Sequence, residues 1–322
     1  MYVCIQTLPL LLAAVPVGVH SPCSTLVLLY TRPALCSLCS PHSYHPAMQR
    51  FPTSSNAPLT QAQSSQSSQP QDSIPIGTFS PPIPTDLRST CPILNALSNH
   101  GLVPRSGRDV SAAQLHHALR QIGVSPELAY LATLGNFVTS PPAGVLKAGN
   151  AQAAHKDDKG VMVIDYSLLN VGPGYVEHDV SLTRGDRLLG DPVNADPALV
   201  KQFVGFRPEN EGFALTDTTA FRKRRYHQQV EANKGLRFGM LEHAVVCAET
   251  TGLHNVFGKG WRYEIPRSYL KALFEDERLP IEEGWRVRTI PFTIVEAWFV
   301  WVFVWVAAWP FRTWKSLQHL FS

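Results

Sequence analysis

Hydrophobic positions along this chain follow a helical rhythm through the middle and lose it at both ends. Leu115, Ala118, Leu119 and Ile122 recur at three- and four-residue intervals, the spacing of one helix face. Ser111 and Gln114 precede that stripe in a capping-box pattern, and Gly123 follows it. Ser125-Pro126 opens a second helix carrying Leu128, Leu131, Ala132, Leu134 and Val138, and Pro141-Pro142 stops it. Asp196-Pro197 opens a third, with Leu199, Val200, Phe203 and Val204. Thr216 or Asp217 opens a fourth, basic through Arg222, Lys223, Arg224 and Arg225. Residues 236–247 are apolar on nearly every side except at Arg237, Glu242 and His243, and residues 267–275 form a short amphipathic helix. The strand signal at residues 161–164 is β-branched but isolated. The pattern predicts an all-α domain over residues 78–290.

At the ends the rhythm gives way to bias. Residues 1–31 contain no Asp, Glu, Lys or Arg, and an apolar run over residues 8–19 is broken by Pro9 and Pro16. The leader over 1–39 reads as a signal peptide without the usual basic start. Residues 40–77 are rich in Ser, Pro, Gln and Thr, a composition that buries too little apolar surface to fold and predicts a disordered linker. The tail over 291–322 is the opposite case. Residues 292–309 are aromatic and β-branched with one charge, Glu296, and Arg312 and Lys315 follow. Its length is at the short end for a bilayer span and its tryptophans suit the interfaces, so the tail predicts a membrane anchor. The competing reading is a hydrophobic helix packed on the domain.

Composition narrows the function. The net charge is +3 with both signs interleaved, which gives no nucleic-acid surface. Of six cysteines, Cys4, Cys23, Cys36 and Cys39 precede the predicted fold. Cys36 and Cys39 have CxxC spacing but no second pair, so they are discounted as a zinc site, and two cysteines within the domain make no disulfide framework.

Candidate chemistry begins at Cys91. Pro92 suits the first helical position and Gly101 the residue past the helix end, which leaves Cys91 at the cap. The N–H groups of the first turn then point at its sulfur, an arrangement that suits a nucleophile or a metal ligand. Further on stands Glu177-His178-Asp179-Val180-Ser181-Leu182-Thr183-Arg184. On a helix, Glu177 and Ser181 share a face and His178 turns aside. Their oxygens suit a hard cation such as magnesium, manganese or calcium. Glu242 lies on an apolar helix, where a charge requires a partner, and Glu249 lies seven residues later on the same face.

Cys91-Pro92, then Leu94-Asn95-Ala96-Leu97, Asn99-His100-Gly101 and Pro104-Arg105, resemble the haem-binding segment of the fungal haem-thiolate peroxidases, the chloroperoxidase and unspecific peroxygenase family. Thr90 replaces the proline that usually precedes the cysteine. The Glu-His-Asp-x-Ser string matches the His-bearing branch, extended by Arg184, Asp186 and Gly190-Asp191. The segment 274–280 with Gly284-Trp285 is similar to the family's closing motif, with a structural role expected for Glu277 and Arg278. The resemblance implies haem b with Cys91 as axial thiolate ligand, and Pro92 and Asn95 within the cofactor-binding segment. It also implies one divalent cation held by Glu177, Ser181 and the carbonyl of His178. His178 would stand on the distal side beside a catalytic glutamate. Glu242 is the leading candidate for that glutamate and Glu249 the second. Hydrogen peroxide and a small organic or halide substrate follow, for oxidation, hydroxylation or halogenation, in a secreted or membrane-associated protein. The alternative is a degenerate, membrane-tethered haem- or sterol-binding protein without turnover. A cysteine hydrolase is a third reading and leaves the Glu-His-Asp string without a role.

Overall fold

Among the residues that the computed structural model describes, 75–137, 154–170 and 177–310, helices dominate and strands are few. The predicted signal segment and nearly all of the predicted linker lie outside the described residues, as does the tail from 311. Helix α1 (Pro92–Asn99) starts where the sequence places it, with Cys91 as N-cap in an extended conformation and proline at the first position. Gly101 follows its end at φ +67°, a conformation that favours glycine. Helix α2 (Ala112–Gln121) carries the expected box: the Ser111 hydroxyl accepts from the Gln114 N–H, and the Gln114 side chain accepts from the Ser111 N–H. Helix α3 (Pro126–Phe137) follows.

The strand signal is not isolated. Strands β1 (Val110–Ser111), β2 (Ala154–Lys156) and β3 (Met162–Ile164) form an antiparallel sheet in the order β1-β3-β2, with Val110 and Ala154 both paired to Ile164. The two partner strands span two and three residues, too short to leave an alternating pattern.

Helix α4 (Pro197–Val204) is capped by Asp196, whose carboxylate accepts from the N–H groups of Ala198 and Leu199. Helix α5 (Leu215–Ala232) begins a residue before Thr216, because the Asp217 carboxylate accepts from the Ala214 N–H and fixes the first turn there. Helix α6 (Met240–Phe257) is buried along nearly its whole length from His243 onward and forms the axis of the fold. Its start lies four residues later than the apolar run at 236 suggests, since Gly239 is its cap. Helix α7 (Arg267–Phe274) packs against α1 and α4.

The described part of the tail is largely helix α8 (Ile294–Ala307). Its 14 residues rise only about 21 Å, against a hydrocarbon core of about 30 Å. No helix among the described residues is long and apolar enough to cross a membrane. Instead α8 lies on α6 and α5, burying Ala297, Val300, Trp301 and Val304. The Trp301 indole donates to the Ala244 carbonyl at 3.1 Å. Uniform hydrophobicity in the sequence hides that one side of the helix faces protein.

Candidate active site

Helix α1 delivers Cys91, 3% exposed, to the wall of a cavity. Its backbone N–H donates to the Ser89 hydroxyl at 2.9 Å. The approach to the cap is fixed by Asn95, whose side chain accepts from the Ser89 N–H at 2.9 Å and donates to the Ser89 carbonyl at 2.8 Å. These two bonds hold the chain at the position where Thr90 replaces the family's proline. Pro92 lines the cavity, but Asn95 is buried in protein and is not in the cavity wall. Its side chain holds the segment that carries Cys91.

Asn95 also donates to Glu277 Oε1 at 2.9 Å, and Asn99 donates to the Glu277 carbonyl at 3.0 Å. The same Oε1 accepts from Arg184 at 2.7 Å. Leu279 N–H donates to His100 Nε2 at 3.0 Å, so His100 Nδ1 carries the proton toward the Gly77 carbonyl at 2.9 Å. Burial holds this imidazole's pKa down, which keeps it in that neutral form. The closing segment therefore clamps both ends of α1, a structural part as the sequence suggests.

The facing wall departs from its predicted form. Residues 177–187 are irregular, not helical. Val180 sits at φ +64°, a strained conformation for a β-branched residue, and its N–H donates to Asp186 Oδ1 at 2.9 Å. Asp179 accepts from the Arg237 N–H at 2.9 Å. Short carboxylates that bond backbone N–H groups compete with a helix, and here they win. Glu177, His178 and Ser181 nonetheless line the cavity together. Glu177 is buried and ion-paired to Arg187 at 2.7 Å, whose side chain is 42% exposed. Burial raises the Glu177 pKa, with Arg187 opposing and Asp179 and Asp186 adding to the rise. A carboxylate and a hydroxyl on one wall suit a hard cation.

His178 Nδ1 donates to the Asp179 carbonyl at 2.5 Å, which leaves Nε2 facing Glu249 Oε2 at 3.5 Å. The structure thus brings Glu249, not Glu242, to the histidine. Glu242 stands in the first turn of α6, where its carboxylate accepts from the Gly239 N–H at 2.7 Å. Seven residues advance about 10 Å along a helix, so a shared face does not put both groups at one site. Neighbouring His243 is packed: its ring meets Trp305 at 4.5 Å and Trp309 at 5.4 Å, and burial pushes its pKa down to about 4.

Arg222 completes the group and was hidden in the sequence. Its Nη2 donates to Glu249 at 2.7 Å and its Nε to Thr250 at 2.5 Å. Its Nη1 is buried with no hydrogen-bond partner among the described residues, and Arg222 lines the cavity. Burial works to raise the Glu249 pKa, but Arg222 and His178 outweigh it and hold the carboxyl below its ordinary range. For His178 burial opposes the charge, and Glu249 outweighs it, so its pKa is raised. On α5 the buried face is itself polar, with Thr218, Arg222, Arg225 and Gln229 inward. Hydrophobic periodicity reads such a face as solvent-exposed.

The cavity therefore has a cysteine sulfur in one wall and a carboxylate–imidazole–guanidinium group in another. Ile93, Leu182, Leu253, Leu273 and Phe274 supply apolar lining. Sulfur, apolar sides and an unpartnered buried N–H are surroundings that would suit a haem held by Cys91.

Comparison with known proteins agrees. The family model for peroxidase, family 2, matches residues 77–290. An aromatic peroxygenase of Coprinellus radians is 27% identical over 63% of this chain and 80% of its own length. A chloroperoxidase of Leptoxyphium fumago is 35% identical over 33% of this chain and 25% of its own. An aromatic peroxygenase of Cyclocybe aegerita is 25% identical over 61% of this chain and 54% of its own. With Cys91 facing the polar group across one cavity, these matches establish that the chain belongs to peroxidase family 2, the fungal haem-thiolate peroxidases and peroxygenases, and is a haem peroxidase.

Proposed function

We propose that this chain uses hydrogen peroxide to oxidise, hydroxylate or halogenate a small organic substrate in the cavity between Cys91 and Glu249. The observation that carries the reading is the Arg222–Glu249–His178 group, placed in a cavity that the Cys91 cap also lines. Haem bound there supplies a redox-active iron, and a thiolate ligand favours O–O cleavage. Cys91, held by Ser89 and Asn95, is the ligand, with Pro92 at its side. Glu249 is the acid–base: kept anionic by two partners, it takes a proton from one peroxide oxygen and returns it to the other. His178 and Arg222 fix the orientation of that carboxylate. The unpartnered Nη1 of Arg222 offers one more N–H to an oxygen in the cavity. Glu177, Ser181 and the His178 carbonyl would hold the cation, and secretion would follow from the leader over 1–39.

The test is spectroscopic first. Reduced protein with carbon monoxide shows the red-shifted Soret band of thiolate ligation, and Cys91→Ala loses it; a histidine-type band in the wild type removes Cys91 as ligand. Peroxide-dependent oxidation of a phenolic dye then separates turnover from binding. The non-turnover reading requires haem uptake with no dye oxidation, and the complete polar group at Glu249 argues against it. Metal analysis of wild type and Glu177→Gln, with about one divalent ion per chain in the first and loss in the second, tests the cation.

A further inference from the structure

Around its axis α8 has two apolar sides, and the fold uses one. Ala297, Val300, Trp301 and Val304 are buried. Val295, Trp298, Phe299, Val302, Phe303 and Val306 fall at the i, i+3, i+4, i+7, i+8 and i+11 spacing and occupy the opposite side. All but the half-buried Val302 are exposed, Phe299 by 64% and Val306 by 66%. A surface helix ordinarily carries polar residues there.

Two neighbouring segments extend this face. Tyr263 donates to Glu296 Oε1 at 3.2 Å, and Arg288 reaches both Glu296 oxygens, at 2.9 and 3.2 Å. The turn at 259–263 and the segment at 286–290 thus bracket the first turn of α8. They bring exposed Trp261, Val287 and Ile290, together with exposed Lys259, Arg262 and Arg286. Glu296, the acidic residue of α8, is neutralised by Arg288. After it, residues 297–322 contain no Asp or Glu and do contain Arg312 and Lys315.

We propose that this face lies on an anionic lipid bilayer, with the α8 aromatic rings in the headgroup–acyl boundary and the basic residues at lipid phosphates. Trp and Phe suit that boundary, and a basic rim supplies the attraction to anionic lipid. The helix lies along the surface, for which a rise of about 21 Å is no obstacle. A second copy of the chain is the poorer occupant. It would bring the same basic residues to the rim from both sides, where like charges oppose association.

Vesicle flotation of the full-length, haem-loaded protein tests this, with phosphatidylcholine vesicles prepared with and without phosphatidylserine. Wild type is expected to float with the phosphatidylserine vesicles. Phe299→Glu/Phe303→Glu is expected to lower the bound fraction at least about tenfold, and Arg262→Glu/Arg286→Glu to lower it and flatten its salt dependence. Circular dichroism and dye oxidation show whether the variants remain folded. Wild type that stays with the soluble fraction, or a double Phe variant that floats equally well, overturns the proposal. Equal flotation on phosphatidylcholine alone overturns the anionic requirement. A two-chain mass by light scattering that the double Phe variant halves, without vesicle uptake, gives the face to a second copy and overturns the lipid assignment.

Discussion

Cys91 reaches the cavity on a helix whose cap, first-turn proline and terminating glycine all lie within residues 91–101. The groups on the facing wall, His178, Arg222 and Glu249, come from a strained loop and two separate helices. The first wall is a local structure with its signals in sequence order. The second exists only once α5 and α6 have packed against the loop. The difference teaches that a cap residue's position can be written locally, whereas the partners of a buried carboxylate are set by tertiary contact.

Changes at the two walls should differ in kind as well as size. The largest effect is expected for Cys91→Ala, with peroxide-dependent oxidation at background and loss of the thiolate-type carbonyl band. Retention of that band would place the ligand elsewhere. Next comes Glu249→Gln, expected to lower turnover roughly 10²- to 10⁴-fold with haem ligation intact, the range for loss of a positioned acid–base. Single-turnover kinetics with peroxide measures it, and a rate within threefold of wild type would remove Glu249 from the chemistry.

Glu277→Gln acts on both walls, since Asn95 and Arg184 share its Oε1. A loss of about 3 kcal/mol is expected in denaturant unfolding, the scale for breaking a mostly buried ion pair. A somewhat similar effect comes from pH. His254 Nδ1 donates to the Tyr263 carbonyl at 2.6 Å and its Nε2 accepts from Thr218 at 2.8 Å. Burial pushes its pKa down to about 4. The unfolded chain therefore takes up a proton first as pH falls through about 6.5, so stability is full above that value and declines toward pH 4. The decline is roughly 3 kcal/mol for this group, and His254→Gln should flatten the pH profile of the melting temperature. Smallest is Glu242→Gln, expected to leave turnover unchanged and to lower stability by about 1 kcal/mol, the scale of a helix cap.

Legibility followed the same division. Helices α1, α2 and α4 were readable because proline, Ser-x-x-Gln and Asp-Pro are local signals of their starts. The strand partners were not, for lack of length. Glu177 and Ser181 share a face only if that stretch is helical, and nothing in the spacing shows that Asp179 and Asp186 turn back to bond the chain's own amides. Glu242 and Glu249 were indistinguishable by face, and their separation along the helix axis decided between them. Arg222 belonged to a run of four basic residues, and only packing shows which of the four is buried against Glu249. The tail's hydrophobicity was evident, but not that half of it is already spent on α6.

The Glu277 carboxylate has a mechanical consequence. One oxygen is tied to Asn95, behind the sulfur, and to Arg184, on the loop that carries His178. Glu277 thus works like the pivot of a calliper whose two jaws are the cavity walls. The gap between the jaws fixes how thick a group can be gripped, and its tolerance depends on a residue that touches neither sulfur nor imidazole. Relaxing the pivot should let the jaws open independently, so that looseness would register first as a broadened, heterogeneous Soret band.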